Sequence, residues 1–168
     1  MDDPAAERNE QTIRRLYDAL DRHDGETMAA CYAPDAVFSD PVFPELRGEL
    51  AGDMWRMLTA RATDLSVEVP DAKADAQAGS ARWIATYTFG ATGREVVNRV
   101  RSGFRFDDAG LIAQQRDDFP FWKWARQALG LSGLVLGWSP LLRAKVRSNA
   151  AAELARFRAD RREPGRTD

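Results

Sequence analysis

Residues 13–42 read IRRLYDALDRHDGETMAACYAPDAVFSDPV, and this stretch decides the fold. Ile13, Leu16, Tyr17 and Leu20 recur at helical spacing, so residues 7–22 are expected to form an amphipathic helix. Asp24-Gly25 breaks it. Met28, Cys31 and Tyr32 suit a second short helix that stops before Pro34. Ala36 to Ser39 then read as a short strand, which runs into Asp40-Pro41. An aspartate set between apolar residues must be paired, protonated or used. Asp40 therefore has two readings. It either opens a turn at a strand end, as Asp-Pro commonly does, or serves as an acid or base at the mouth of a pocket.

Gly48 precedes a third helix, whose Met54, Trp55 and Leu58 are expected to face a core. The pattern changes after Asp64. LSVEV, RWIATYTF, REVVNRVRSGFRF and GLIAQQRDDF are rich in β-branched and aromatic residues and alternate with period two. Ala91-Thr-Gly93 joins the second and third as a hairpin, and Asp107-Asp-Ala-Gly110 joins the third and fourth. Helices followed by an antiparallel sheet form an α+β plan, with a conical space between the helices and the concave face.

From Phe121 the chain turns helical again, with Phe121, Trp124, Ala128 and Leu129 near one face. LGLSGLVLGWSPLL follows, apolar but interrupted by Gly130, Gly133 and Gly137, which allow bends. A last helix is expected from about Pro140 to Asp160, with a stripe of Leu142, Val146, Ala150, Leu154 and Phe157. The division that follows is a cone over residues 7–120, a helical extension over 121–160 and a polar tail over 161–168. The extension is expected to fold back as a lid or collar, with Trp122, Trp124 or Trp138 near the pocket mouth or a subunit contact. The competing reading is a membrane-surface anchor using Arg143, Lys145, Arg147, Arg156 and Arg158; membrane contact is not the expectation adopted.

The composition narrows the function. A net charge of -2 gives no case for nucleic-acid binding. The lone Cys31 rules out an intrachain disulfide framework and a cysteine zinc site. MDDPAAERNE does not look like a signal peptide, and no apolar run has the length of a spanning helix, so a cytoplasmic location is expected. The lone His23 lies in a surface-turn sequence, LDRHDGE, expected to be solvated. Histidine triads and two-histidine metal sites are then excluded. Acid–base chemistry falls to carboxylates, tyrosine or water, with no metal and no cofactor expected.

Over residues about 10–120 the sequence resembles the nuclear transport factor 2-like superfamily, in its SnoaL-like and ketosteroid isomerase group. The resemblance rests on the opening stretch, with its "AL", Asp-Gly turn, "DA" and "DPV", and on Gly48 and GFRFDDAGLI. It implies a nuclear transport factor 2-like cone, a curved antiparallel sheet wrapped around helices, here with a C-terminal helical extension. It implies a homodimer through the convex face of the sheet. It places Asp40 on the general base of the ketosteroid isomerases. Their helix-one tyrosine aligns with Leu16, beside Tyr17, and their protonated aspartate aligns with Ser102. GLIAQQRDDFPFWKW is similar to the last strand of limonene epoxide hydrolases, with Asp117 on their water-activating aspartate. With a one-residue slip, Arg82 matches their arginine while Ile84 replaces their second acid.

Alternation refines the site. If Ser102 faces the cone, so do Asn98, Val100, Phe104 and Phe106, while Arg99, Arg101 and Arg105 point away. Asp117 shares its face with Ala113, Gln115 and Phe119, and Asp118 points outward. The expected catalytic residues are Asp40 and Asp117. The expected substrate-binding residues are Tyr17, Trp55, Trp83, Tyr87, Asn98, Ser102, Phe104 and Gln115. The expected function is a cofactor-independent acid–base enzyme, an isomerase, cyclase, lyase or hydrolase acting on a small apolar or carbonyl-containing ligand. The alternative is a non-catalytic ligand-binding or protein-interaction module.

Overall fold

The computed structural model describes residues 3–163. Helix α1 (Pro4–Asp21) is capped by Asp3, whose side chain accepts from the Ala5 amide, and buries Ile13, Leu16, Tyr17 and Leu20. It starts before the expected residue 7 because Pro4 suits a first helical turn. His23 follows at φ 58°, and its Nε2 lies 2.8 Å from the Leu65 carbonyl. The turn is as expected, but the ring is half-buried and tied across to Leu65 rather than free in solvent.

Helix α2 (Gly25–Ala29) is shorter than expected. Tyr32 belongs instead to strand β1 (Tyr32–Ser39), where it pairs with Ile112. A two-residue strand β2 (Leu46–Arg47) lies antiparallel to β1. Gly48, at φ 58°, turns the chain into α3 (Glu49–Arg61), a left-handed position that a side chain would strain. Met54 and Trp55 of α3 face the core, but Leu58 is 40 % exposed and Met57 takes the inward place.

The sheet continues with β3 (Ser66–Ala74), β4 (Ala78–Phe89), β5 (Arg94–Phe106) and β6 (Ile112–Asp118). The strand order is β2-β1-β6-β5-β4-β3. All neighbours are antiparallel except β1 and β6, which run parallel. Along β5 the burial alternates as expected, with Val96, Val100, Ser102 and Phe104 inward and Arg99, Arg101 and Arg105 exposed. On β6 a bulge at Ala113 puts Ile112 inward in its place, while Gln115, Asp117 and Phe119 keep the expected face. Asp118 points outward and pairs with Arg101 at 2.7 Å. Arg82 and Ile84 lie on the outer side of β4, because Ala81, Trp83 and Ala85 take the inner face. Arg82 is therefore exposed and away from Asp117, which removes it as a partner in epoxide-type chemistry.

Beyond β6 come α4 (Phe121–Leu129), α5 (Leu131–Leu136) and α6 (Pro140–Arg162). Helix α4 lies on β5, where Gln127 Oε1 accepts from the Val97 amide and Thr92 Oγ1 donates to the Ala128 carbonyl. Helix α6 docks on the cone through the expected stripe, with Leu154 buried and Leu142, Val146, Ala150 and Phe157 partly so. Arg158 donates to Asp53 of α3 at 2.7 Å, and Arg147 donates to the Pro41 carbonyl at 2.9 Å. The helix runs on to Arg162, beyond the expected end near Asp160. Most of the expected polar tail, residues 164–168, lies outside the described residues.

Candidate active site

Asp117 is the centre of the site. Strand β6 places it opposite Ser102 on β5, and the side chain is 5 % exposed. Its Oδ1 accepts from Ser102 Oγ at 2.5 Å and from Gln115 Nε2 at 2.9 Å. Trp83 Nε1 donates to Ser102 Oγ at 2.9 Å, and Tyr17 OH lies 2.7 Å from the same oxygen. Because Ser102 spends its only proton on Asp117, the Tyr17 phenol must be the donor to Ser102. On the other side Tyr32 OH donates to Gln115 Oε1 at 2.5 Å, and Trp55 Nε1 donates to Tyr32 OH at 2.6 Å. Every donor in both branches thus points towards Asp117 Oδ1.

The remaining oxygen, Asp117 Oδ2, has no hydrogen-bond partner among the described residues and is not sealed from solvent. Burial pushes the carboxyl up to about 7, against the hydrogen bonds from Ser102 and Gln115, and the charge of Asp40 adds to the rise. With Oδ1 occupied by two donors, a proton on Asp117 belongs on Oδ2. Burial and the neighbouring Asp117 charge hold both Tyr17 and Tyr32 well above the ordinary phenol range, so both stay protonated donors.

Asp40 follows the same plan. Its Oδ1 accepts from the amides of Val42 at 2.7 Å and Phe43 at 2.5 Å, which closes the turn at Pro41. Its Oδ2 has no partner among the described residues and is not sealed. Burial raises this carboxyl to about 6, while the Phe43 and Val42 amides and the Arg147 charge oppose the rise. The parallel register pairs Ser39, the last residue of β1, with Arg116, so Asp40 leaves the strand next to Asp117 of β6, and its charge acts on that carboxyl. Asp40 is thus both a turn residue and a raised carboxyl beside Asp117.

The other expected residues divide by position. Tyr17, Trp55, Trp83, Ser102 and Gln115 are buried and bonded within the network, so they position Asp117 instead of facing open space. Phe104 is buried in the core and meets Tyr17 edge-on at 6.4 Å. Tyr87 and Asn98 are half-buried, further along β4 and β5. Tyr87 OH accepts from Trp124 Nε1 at 2.9 Å, so α4 covers this end of the cone. Asn98 makes no side-chain hydrogen bond among the described residues. Tyr32 and Arg147 were not expected in these roles, whereas Trp124 was among the residues expected near the pocket mouth or a subunit contact.

A surface cleft of about 410 Å³ lies elsewhere, lined by Tyr32, Gly48, Asp53, Arg56, Arg158 and Arg161, and it reaches neither aspartate. Asp53 there is already held by Arg56 and Arg158. No group of three or more His, Cys, Asp and Glu side chains among the described residues is arranged to hold a metal ion.

No curated protein matches the chain. Among solved structures it is similar to an M. tuberculosis LEH-like epoxide hydrolase, at 24 % identity and TM-score 0.64, covering 79 % of this chain and 96 % of that one. It is similar to a putative ketosteroid isomerase from Kribbella flavida DSM 17836, at 18 % identity and TM-score 0.54, with 68 % and 79 % covered. It is also similar to an NTF2-like protein of unknown function from Burkholderia pseudomallei K96243, at 18 % identity and TM-score 0.62, with 72 % and 97 % covered. These likenesses share the fold, a mixed cone with a six-stranded sheet. The family profile described as SnoaL-like domain matches residues 13–115, well over half of the sequence, and the chain belongs to that family.

Proposed function

We propose that the chain is a cofactor-independent acid–base enzyme acting on a small, mostly apolar substrate, with Asp40 and Asp117 as its proton-transfer groups. One observation carries this reading. Two neighbouring carboxyls each have Oδ1 held by donors and Oδ2 without a partner among the described residues, and burial raises both towards neutral pH. A group whose pKa lies near the working pH exchanges protons most effectively. At neutral pH, Asp40 with its lower value is the better base, and Asp117 is available in part as the acid. Asp40 Oδ2 would accept a proton from a carbon beside a carbonyl, or from water. Asp117 Oδ2–H would donate to the oxygen on which charge develops. Asn98 and Tyr87, both half-buried on the inner face, would orient the ligand.

The same reading includes a homodimer through the outer face of the sheet, where Arg99 and Arg105 would need acidic partners or solvent. The non-catalytic alternative draws on the closure of the Asp117 network, whose donors and acceptors satisfy one another. Exchange of cyclohexenone α-protons into D2O and hydrolysis of styrene oxide separate the readings. The wild type is expected to exceed D40N and D117N by about a hundredfold or more in one of the reactions. Equal rates for all three proteins in both reactions would favour the binding module.

A further inference from the structure

The segment between Asp118 and Glu153 contains no acidic residue, although the whole chain carries a net charge of -2. It does contain Lys123, Arg126, Arg143, Lys145 and Arg147. Both flanking acids are neutralised, Asp118 by Arg101 and Glu153 by Arg61. Within this basic stretch the apolar side chains are left in water. Leu131 is 81 % exposed, Val135 61 %, Trp138 75 % and Leu141 82 %, with Leu134, Leu136 and Trp122 also exposed. So many large apolar side chains exposed within one short stretch are unusual on a surface that meets only solvent.

Helix α5 packs closely on α4. Gly133 lets α5 lie so close to α4 that a Cβ there would overlap the Ala125 carbonyl. Trp122 packs on Gly137, and its Nε1 donates to the Leu134 carbonyl at 3.5 Å. Two of the basic groups lie against the aromatic side chains of α4. The Arg126 guanidinium lies 4.9 Å over the Trp122 ring, and that of Arg143 lies 5.0 Å over Phe121.

We propose that α5 and its flanks dock the protein on an anionic membrane surface. Leu131, Val135, Trp138 and Leu141 enter the boundary between headgroups and acyl chains, and Lys123, Arg126, Arg143 and Lys145 face the lipid phosphates. The charge pattern chooses this occupant. A two-fold contact with a second copy would set the basic border against itself. An anionic bilayer accepts both the apolar centre and the basic border. Tryptophan at the apex suits the interfacial zone. The contact is peripheral, since no helix of the described residues is long and apolar enough to cross a membrane. Docking is independent of the acid–base reading.

Vesicle flotation tests it, using phosphatidylcholine alone and phosphatidylcholine with about a quarter phosphatidylglycerol. The full chain should float with the anionic vesicles, and bind at least about tenfold more weakly to the neutral ones or at high salt. The triple variant L131S/W138S/L141S and the double variant K123Q/K145Q change exposed side chains, so both should keep the wild-type circular dichroism. Each should lose anionic-vesicle binding by about tenfold or more. The proposal is overturned if the wild type does not float, or if its binding survives in both variants. A dimer that the triple variant converts to monomer, with no flotation by the wild type, would assign the patch to self-association instead.

Discussion

Ser102 carries more of the site than a serine usually does. Its hydroxyl takes hydrogen bonds from Trp83 and Tyr17 and gives its own proton to Asp117. Ser102→Ala leaves the Trp83 and Tyr17 donors unpaired in a buried place, at a cost of about 1–3 kcal/mol for each group left unsatisfied. It also removes a bond that holds the Asp117 pKa down, so that carboxyl should titrate higher than in the wild type. Urea denaturation and a pH–rate profile check the two effects. Asp117→Asn is different, because an amide oxygen still accepts from Ser102 and Gln115. In the wild type Asp117 rises to about 7 on folding, from about 3.9 in the unfolded chain. The stability associated with the protonated group is complete below about pH 4 and is lost as pH rises through 7. The loss is about 1.4 kcal/mol for each unit of difference. D117N should lack this slope, and at pH 8 should be at least as stable as the wild type while losing activity. A variant much less stable than the wild type at pH 8 would contradict the raised pKa.

At the scale of elements, helix α6 reaches the site through Arg147, which donates to the Pro41 carbonyl in the turn that carries Asp40. Its charge lowers the Asp40 pKa. Arg147→Gln should therefore raise the Asp40 titration midpoint above about 6 and shift the acidic limb of the rate profile with it, since a base loses activity as it is protonated. An unchanged midpoint would mean that α6 covers the cone without tuning it. The local patterns were legible in the sequence. Period-two alternation sorted β5 correctly, from Val96 to the outward arginines, and helical spacing found the buried face of α1. What stayed hidden depends on distant partners. Tyr32 sits at helical spacing from Met28, and only its pairing with Ile112 across the parallel β1–β6 contact makes it a strand residue. Tyr17 is offset by about 100° from Leu16 on the helix, yet its phenol reaches Ser102. The alternation of β6 was legible except at Ala113, where a bulge changes the phase. Helix α5 lies in the extension that was expected to fold back as a lid or collar. Its exposure follows from the shortness of the helix and its tight seat on α4 at Gly133, which leave one side of it uncovered.

On the whole molecule, the helices and sheet close around one buried line of polar groups, from Trp55 through Asp117 to Trp83. Asp40 follows the end of β1 beside Asp117, and Oδ2 of both carboxyls has no hydrogen-bond partner among the described residues. Ionising either group removes a charge-sensitive centre from its favoured neutral state, so folding stability should decline from about pH 4 towards pH 8. A protein whose stability rises steadily over that range would owe it to other groups. The most direct test is a carboxyl-carbon NMR titration of the folded protein, with the resonances assigned through D40N and D117N. The account predicts one midpoint near 6 for Asp40 and one near 7 for Asp117, each moving when the other residue is replaced. Two independent midpoints near 4, the range of an ordinary aspartate, would contradict it.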